Sequence, residues 1–195
     1  MKRATTMIIY HGTNRLFNKF DLSKRLTGEG NNIHGEGFYF AFNKKISEEY
    51  AKATSKRYLV SPKGEMFDLS YGLNIFTIDE CVACVLKTLN DAKVNGEKYE
   101  EKDVIRDIVE FNCFCLKKSS IRQRRIKEVT SRYNQVKNWK RNSGFLYSVE
   151  IDDKFIKKNN LSTKLYHGQR DGLCLVVKDP SIIKIVNVEE IPYVG

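Results

Sequence analysis

GEGFYFAFNKKISEEYA, residues 35–51, is the stretch on which the reading of this chain turns. Alternation along an extended segment sets Phe38, Phe40 and Phe42 on one side and Gly37, Tyr39 and Ala41 on the other. The phenylalanines read as a core face. The opposite face holds one phenol ring between two small residues, so a hollow is expected beside Tyr39. Asn43 then precedes a helix, KKISEEYAKATSK, in which Ile46, Tyr50 and Ala53 recur at helical spacing as an apolar stripe. Ser47 and Tyr50 are three residues apart, close enough on a helix to face that same hollow.

Upstream, MIIYH (7–11) reads as a short strand with His11 at its end, where a ligand could reach it, followed by Gly12 and Thr13. Downstream, Pro62 and Gly64 punctuate a loop, and from about Thr77 to Asn142 the pattern is helical. Ile126, Val129, Tyr133 and Val136 repeat there at spacings of three and four, an amphipathic stripe. Strand signals return at GFLYSVEI (144–151), LCLVVK (173–178) and IIKIVNV (182–188), while YHG at 166–168 reads as a turn and His34 as a loop residue. The expected plan is one α+β domain over residues 1–195, interrupted by a helical insertion at approximately 75–142.

Composition narrows the class. The chain has 195 residues, 41% hydrophobic and 30% charged, enough for a buried core. No apolar run approaches the roughly 18–20 residues of a membrane span. The basic start, MKRATTMIIYHGTN, lacks the apolar run of about 7–15 residues that a secretory leader needs. A cytoplasmic protein is expected, or one exported as an effector without an N-terminal signal peptide. Of the five cysteines, Cys81, Cys84, Cys113 and Cys115 fall in the helical segment and Cys174 in a strand; reduced core thiols are expected, not a metal site. Zinc held by Cys81-x-x-Cys84 and Cys113-x-Cys115 is the alternative, with an unusually short second spacing.

Residues His11, Tyr39, Ser47 and Tyr50, with glycine backbone around them, suit a flat aromatic amide carrying a ribose. Tyrosine faces sandwich a ring, the Gly12 backbone and the Ser47 hydroxyl bond a carboxamide, and an imidazole bonds a ribose hydroxyl. Nicotinamide riboside is such a group. Together, YHGT (10–13) and GEGFYFAFNKKISEEYA resemble the motifs of the histidine–tyrosine–glutamate class of ADP-ribosyltransferases, the poly(ADP-ribose) polymerase and diphtheria toxin type. They are most similar to its bacterial and phage HGT…GxGxYF members. The resemblance covers residues 7–60 and 143–190.

It implies a split antiparallel β-sandwich with a cleft for NAD as substrate. His11, Gly12, Thr13, Tyr39, Ser47 and Tyr50 would hold NAD, and His11, Tyr39 and the third-motif residue would serve catalysis. In the family that third residue is a glutamate that grips the ribose 2′-hydroxyl. The matching strand here, CLVVKDPSIIKIV (174–186), has Cys174 in its place. Asp171, Glu29 and Glu36 are the acids near enough in sequence to substitute. The departure favours transfer of a single ADP-ribose over polymer formation. It also leaves open a catalytically weak or inactive NAD or ADP-ribose binding module, and transfer to a small molecule is a third possibility.

Net charge is +10, and most of it is local. Ten Lys/Arg and one acid, Glu128, lie between Lys117 and Arg141. Lys118, Arg122, Arg125 and Arg132 are expected opposite the apolar stripe as a continuous positive face. Such a face suits phosphate backbone or an acidic protein: a nucleic acid, an acidic macromolecular acceptor, an antitoxin or a host target. A toxin or effector acting on a large acceptor fits both halves of the sequence.

Overall fold

The alternating segments pair with one another across long stretches of sequence, and the helical segment between them packs on itself. The computed structural model describes residues 6–24, 35–71, 77–112, 119–156, 161–168 and 171–193. The protein is α+β, and the chain divides into two compact units, Met1–Lys56 with Asn142–Gly195 and Arg57–Arg141.

The first unit is built on an antiparallel six-stranded sheet. Its strands are β1 (Thr6–Thr13), β2 (Phe38–Ala41), β6 (Gly144–Asp152), β7 (Thr163–Gly168), β8 (Gly172–Val177) and β9 (Lys184–Ile191). They lie in the order β7-β8-β2-β1-β6-β9. β1 and β6 pair along the whole of β1, from Thr6↔Asp152 to Thr13↔Phe145, whereas β1 and β2 pair only at Tyr10↔Ala41. The sheet is therefore two three-stranded halves joined at a single bridge. One face buries Ile9, Phe38, Phe40, Tyr147, Val149, Ile151, Leu175 and Val177, with Phe20 and the partly buried Phe17 laid over them. This is the phenylalanine face expected from alternation.

On the other face lies α1 (Lys44–Ser55), capped by Asn43, whose side chain accepts from the Lys45 amide. The stripe expected on α1 is rotated. Ser47, Ala51, Thr54 and Ser55 are the buried positions, while Ala53 and Tyr50 are exposed. The reason is close approach: a Cβ on Gly12 would lie 1.9 Å from the Ser47 carbonyl oxygen, and one on Gly144 would lie 2.6 Å from that of Ala51. Only a face of small residues lets helix backbone approach glycine backbone that closely. Large apolar side chains would have held it off.

β7 corrects the reading of YHG (166–168) as a turn. It is an edge strand with one neighbour, and its exposure lets Lys164 and His167 stand in solvent, which hides it from hydrophobic patterning.

The second unit pairs β3 (Tyr58–Val60), β4 (Met66–Asp68) and β5 (Lys140–Arg141) in the order β4-β3-β5. It also packs α2 (Ile78–Val94), α3 (Glu101–Asn112) and α4 (Ser119–Val136) around Phe67, Val82, Val85, Val109, Val129, Tyr133 and Val136. A reciprocal capping box between Thr77 and Glu80 starts α2. The three helices lie within the expected 75–142, and the compact unit that holds them reaches back to Arg57, where β3 pairs with β5 (Leu59↔Arg141, Val60↔Lys140). No helix among the described residues is long and apolar enough to cross a membrane.

Candidate functional site

Three strands carry the three motif segments: β1 with Tyr10–Thr13, β2 with Phe38–Ala41 and β8 with Cys174. They are consecutive in the sheet, although more than a hundred residues separate the second from the third. Register then decides which side chains meet. Ala41 stands opposite Tyr10 on one side and Cys174 on the other, so Tyr39, Ala41, Cys174 and Val176 share the α1 face. Tyr166 joins them, paired with Cys174 from β7. The Tyr39 and Tyr166 rings meet edge-on with centroids 6.2 Å apart, and the Tyr39 hydroxyl donates to the Gly35 carbonyl at 2.6 Å.

His11 is on the opposite face. Its ring lies among Phe17, Phe20, Phe40 and Tyr147, with centroids 5.4–6.4 Å away. The expectation that His11 and Tyr39 share one hollow is corrected by this register. What His11 does contact is the backbone of the tyrosine: Nδ1 lies 2.8 Å from the Tyr39 carbonyl. A carbonyl only accepts, so Nδ1 carries the proton. The bond spans the divergence of β1 from β2, and a side chain there takes the part that strand pairing plays elsewhere. His11 thereby positions the strand that carries Tyr39.

Burial pushes the His11 pKa below its usual value, and the bond to Tyr39 opposes that shift in part. The sign of the pH dependence follows. A histidine whose folded-state pKa is depressed binds protons more readily when unfolded. Its contribution is intact above the unfolded value of about 6.5 and is lost as pH falls through the lower folded-state value. Stability measured by urea denaturation is expected to decline below about pH 6.5, and His11→Gln should flatten that slope. Equal slopes in the two proteins would show that His11 is not buried neutral.

Gly12 and Ser47 are spent on packing. Gly12 lies against α1 as described, and the 4% exposed Ser47 donates its hydroxyl to the Tyr10 carbonyl at 2.9 Å. The expected carboxamide contact from this pair is therefore corrected to a helix–strand tie. Thr13 Oγ1 accepts from the Arg15 amide at 3.3 Å. Tyr50 is 44% exposed, one turn beyond Ile46 on the same side of α1.

The Gly37 backbone, at φ +154°, is also used by the fold: a Cβ there would lie 2.6 Å from Val176 Cγ1. Glycines 28 and 30, His34 and Glu29 lie outside the described residues, and Glu36 is exposed.

Cys174 is 3% exposed; its thiol lies 3.6 Å from the Asp171 carbonyl and hydrogen-bonds Tyr166. Burial pushes both the Cys174 thiol and the Tyr166 phenol above their usual ranges, so each stays protonated at neutral pH. A neutral thiol is neither a nucleophile nor an anion. Beside this cluster opens a groove of about 420 Å³, lined by Phe42, Asn43 and Ile46 at the start of α1, by Asp171 and by Gly172 and Leu173 of β8. Among these six, Asp171 is the one carboxylate. Asp171 is visible in the sequence as a nearby acid, whereas Tyr166 is signalled only by the alternation of TKLYHG across from LCLVV.

In the second unit three cations of the basic stretch have acidic partners within the unit. Arg132 bonds Asp79 of α2 at 2.9 Å and lies over the Phe67 and Trp139 rings, which corrects its placement on a free basic surface. Lys137 bonds Glu101 of α3 at 2.9 Å, and Arg124 pairs with Glu128 at 3.8 Å. Arg122 and Arg125 are half-buried, leaving Arg124 and Lys127 as the exposed cations of α4; Lys118 lies outside the described residues. Cys81 is in the core of this unit, and burial pushes the Cys84 thiol up. Cys113 and Cys115 lie outside the described residues, and among the described residues no cluster of His, Cys, Asp or Glu could hold a metal ion.

The chain matches no protein-family model, no curated protein and no solved structure.

Proposed function

We propose that the first unit has an ADP-ribosyltransferase fold, and that it cleaves NAD and transfers a single ADP-ribose to a macromolecular acceptor. The supporting observation is the adjacency of β1, β2 and β8. Motifs that the resemblance requires at one site are neighbours in the sheet, beside a groove of about 420 Å³. That volume lies within the range of small-molecule sites, about 300–1,000 Å³, and suits the nicotinamide riboside half of NAD.

In this reading the groove takes nicotinamide between the start of α1 and the β7–β8 hairpin, and Tyr50, outside the six lining residues but one turn beyond Ile46, stacks on the ring. Tyr39 lies behind, fixed through its carbonyl by His11 and through its hydroxyl by Gly35. The nicotinamide–ribose bond breaks with its electron pair leaving on the ring nitrogen. An acceptor lone pair then closes on the cationic ribose carbon, and the acceptor's proton passes to solvent. Positioning and exclusion of water carry the acceleration. The net charge of +10 favours an acidic acceptor, protein or nucleic acid.

Incubation of the protein and a cell lysate with NAD labelled on the adenylate side tests the reading, with nuclease treatment to assign the acceptor class. Tyr50→Ala is expected to raise KM for NAD about tenfold with little change in kcat. One aromatic stack is worth about 0.5–1.5 kcal/mol and acts equally on ground and transition states. An unchanged KM would remove Tyr50 from the site. A second reading, an NAD or ADP-ribose binding module without turnover, is favoured by the buried neutral thiol at Cys174. NAD binding without nicotinamide release would establish it.

A further inference from the structure

We propose that Asp171 supplies the negative charge absent at position 174, its carboxylate facing the NAD ribose across the groove as nicotinamide departs. The inference rests on the transferase reading above. The Cys174 side chain points into the α1 face, where it is covered by its own neighbours and offers no charge. Asp171 is exposed, immediately precedes the same strand, and is the one carboxylate residue among the six that line the groove.

Gly172 adopts φ +64° at the start of β8, and the Asp171 side chain lies beside Gly168. A Cβ on Gly168 would come within 3.2 Å of Asp171 Cβ and 3.4 Å of Oδ2. The backbone of Asp171 is tied to the strand by the 3.6 Å contact from Cys174 Sγ. Its charge is also felt along the cluster, where it helps hold both the Cys174 thiol and the Tyr166 phenol in their protonated forms. A line of contacts thus runs from Tyr39 through Tyr166 and Cys174 to Asp171, ending at the groove. Cys174 and Tyr166 are positioning residues in this arrangement, and the carboxylate at its end is the reactive-site group.

The chemistry balances without proton transfer to Asp171. Heterolysis leaves neutral nicotinamide and a ribose cation. The carboxylate faces that cation until the acceptor's lone pair forms the new bond, and the acceptor's proton passes to solvent. Fixed charge aimed at developing charge is worth about 10²–10³ in rate.

The test compares wild type with Asp171→Asn and Asp171→Glu, and with Asp107→Asn as an exposed carboxylate of the other unit. It reads NAD affinity by calorimetry separately from nicotinamide release. Asp171→Asn is expected to lose about 100-fold in kcat with affinity within about threefold of wild type. Asp171→Glu should recover part of the rate, and Asp107→Asn should match wild type. Release by Asp171→Asn within about threefold of wild type overturns this assignment and leaves the transferase reading standing. Absence of release by the wild type overturns both.

Discussion

Gly12→Ala is expected to leave the first unit unfolded, or to cost it at least about 4 kcal/mol, the range reserved for severe core defects. The new methyl would lie 1.9 Å from the Ser47 carbonyl oxygen and 2.8 Å from the Ala51 nitrogen. Both are α1 backbone, so no rotamer change relieves the overlap. Moving the helix outward would stretch the 2.9 Å bond from Ser47 to the Tyr10 carbonyl and open the contact of Ala51 with Gly144. Gly64→Ala is the control. That glycine has φ +84° with nothing within 4 Å of its Cβ position, so only conformational strain is charged, about 1 kcal/mol. Urea denaturation of the two variants separates the cases. A Gly12→Ala protein within about 1 kcal/mol of wild type would show that α1 is not seated directly on β1.

Tyr147→Phe is expected to destabilise the same unit by about 2–3 kcal/mol while removing a single oxygen. The Tyr147 hydroxyl accepts from the Phe17 amide at 2.6 Å and donates to the Phe17 carbonyl at 2.7 Å, and its ring is stacked on Phe17 at 4.2 Å. Deleting the hydroxyl leaves both backbone groups of a partly buried residue unpaired, at about 1–3 kcal/mol each when water is excluded. The stacking is retained, so the loss is polar and not a cavity effect. A second readout tests the same geometry. Phe17 and Phe20 cover His11, and loosening their anchor admits water to the imidazole. The His11 pKa, followed by NMR, should therefore rise towards its usual value. A stability change without that rise would show that the cover over His11 does not depend on Tyr147.

Much of the sheet was legible because its central strands alternate cleanly. GFYFAF and GFLYSVEI each present one apolar face, and Asn43 marks the helix start by its capping chemistry. What failed had specific causes. The α1 stripe was assigned by hydrophobicity, but glycines at 12 and 144 select small residues for contact, and their distances are not visible from the helix alone. Alternation gives His11 and Tyr39 each a face of its own strand but not whether the two faces coincide. Only the pairing register, Tyr10 against Ala41, shows those faces to be opposite. β7 and the three short strands of the second unit are too polar or too brief for periodicity to find. Arg132 and Lys137 are not legible as paired because their partners, Asp79 and Glu101, are distant in sequence. Asp171 was visible as a residue but not as a wall of the groove.

The pairing of β3 with β5 bears on the order in which the chain acquires its structure. β1 cannot complete its main pairing until β6 has been synthesised, more than a hundred residues later. The second unit makes its helix contacts locally and is available to form first. Once it has formed, Leu59 and Arg141 are held opposite one another at the spacing of paired strands. The two ends of the insertion leave side by side, so the 85-residue excursion is short-circuited for the elements that flank it, α1 and β6. Closing a flexible loop of that length costs about 4 kcal/mol. A second unit that folds first would meet that cost for the joining of α1 to β6, and would lower the closure cost of β1 on β6 by about 1 kcal/mol.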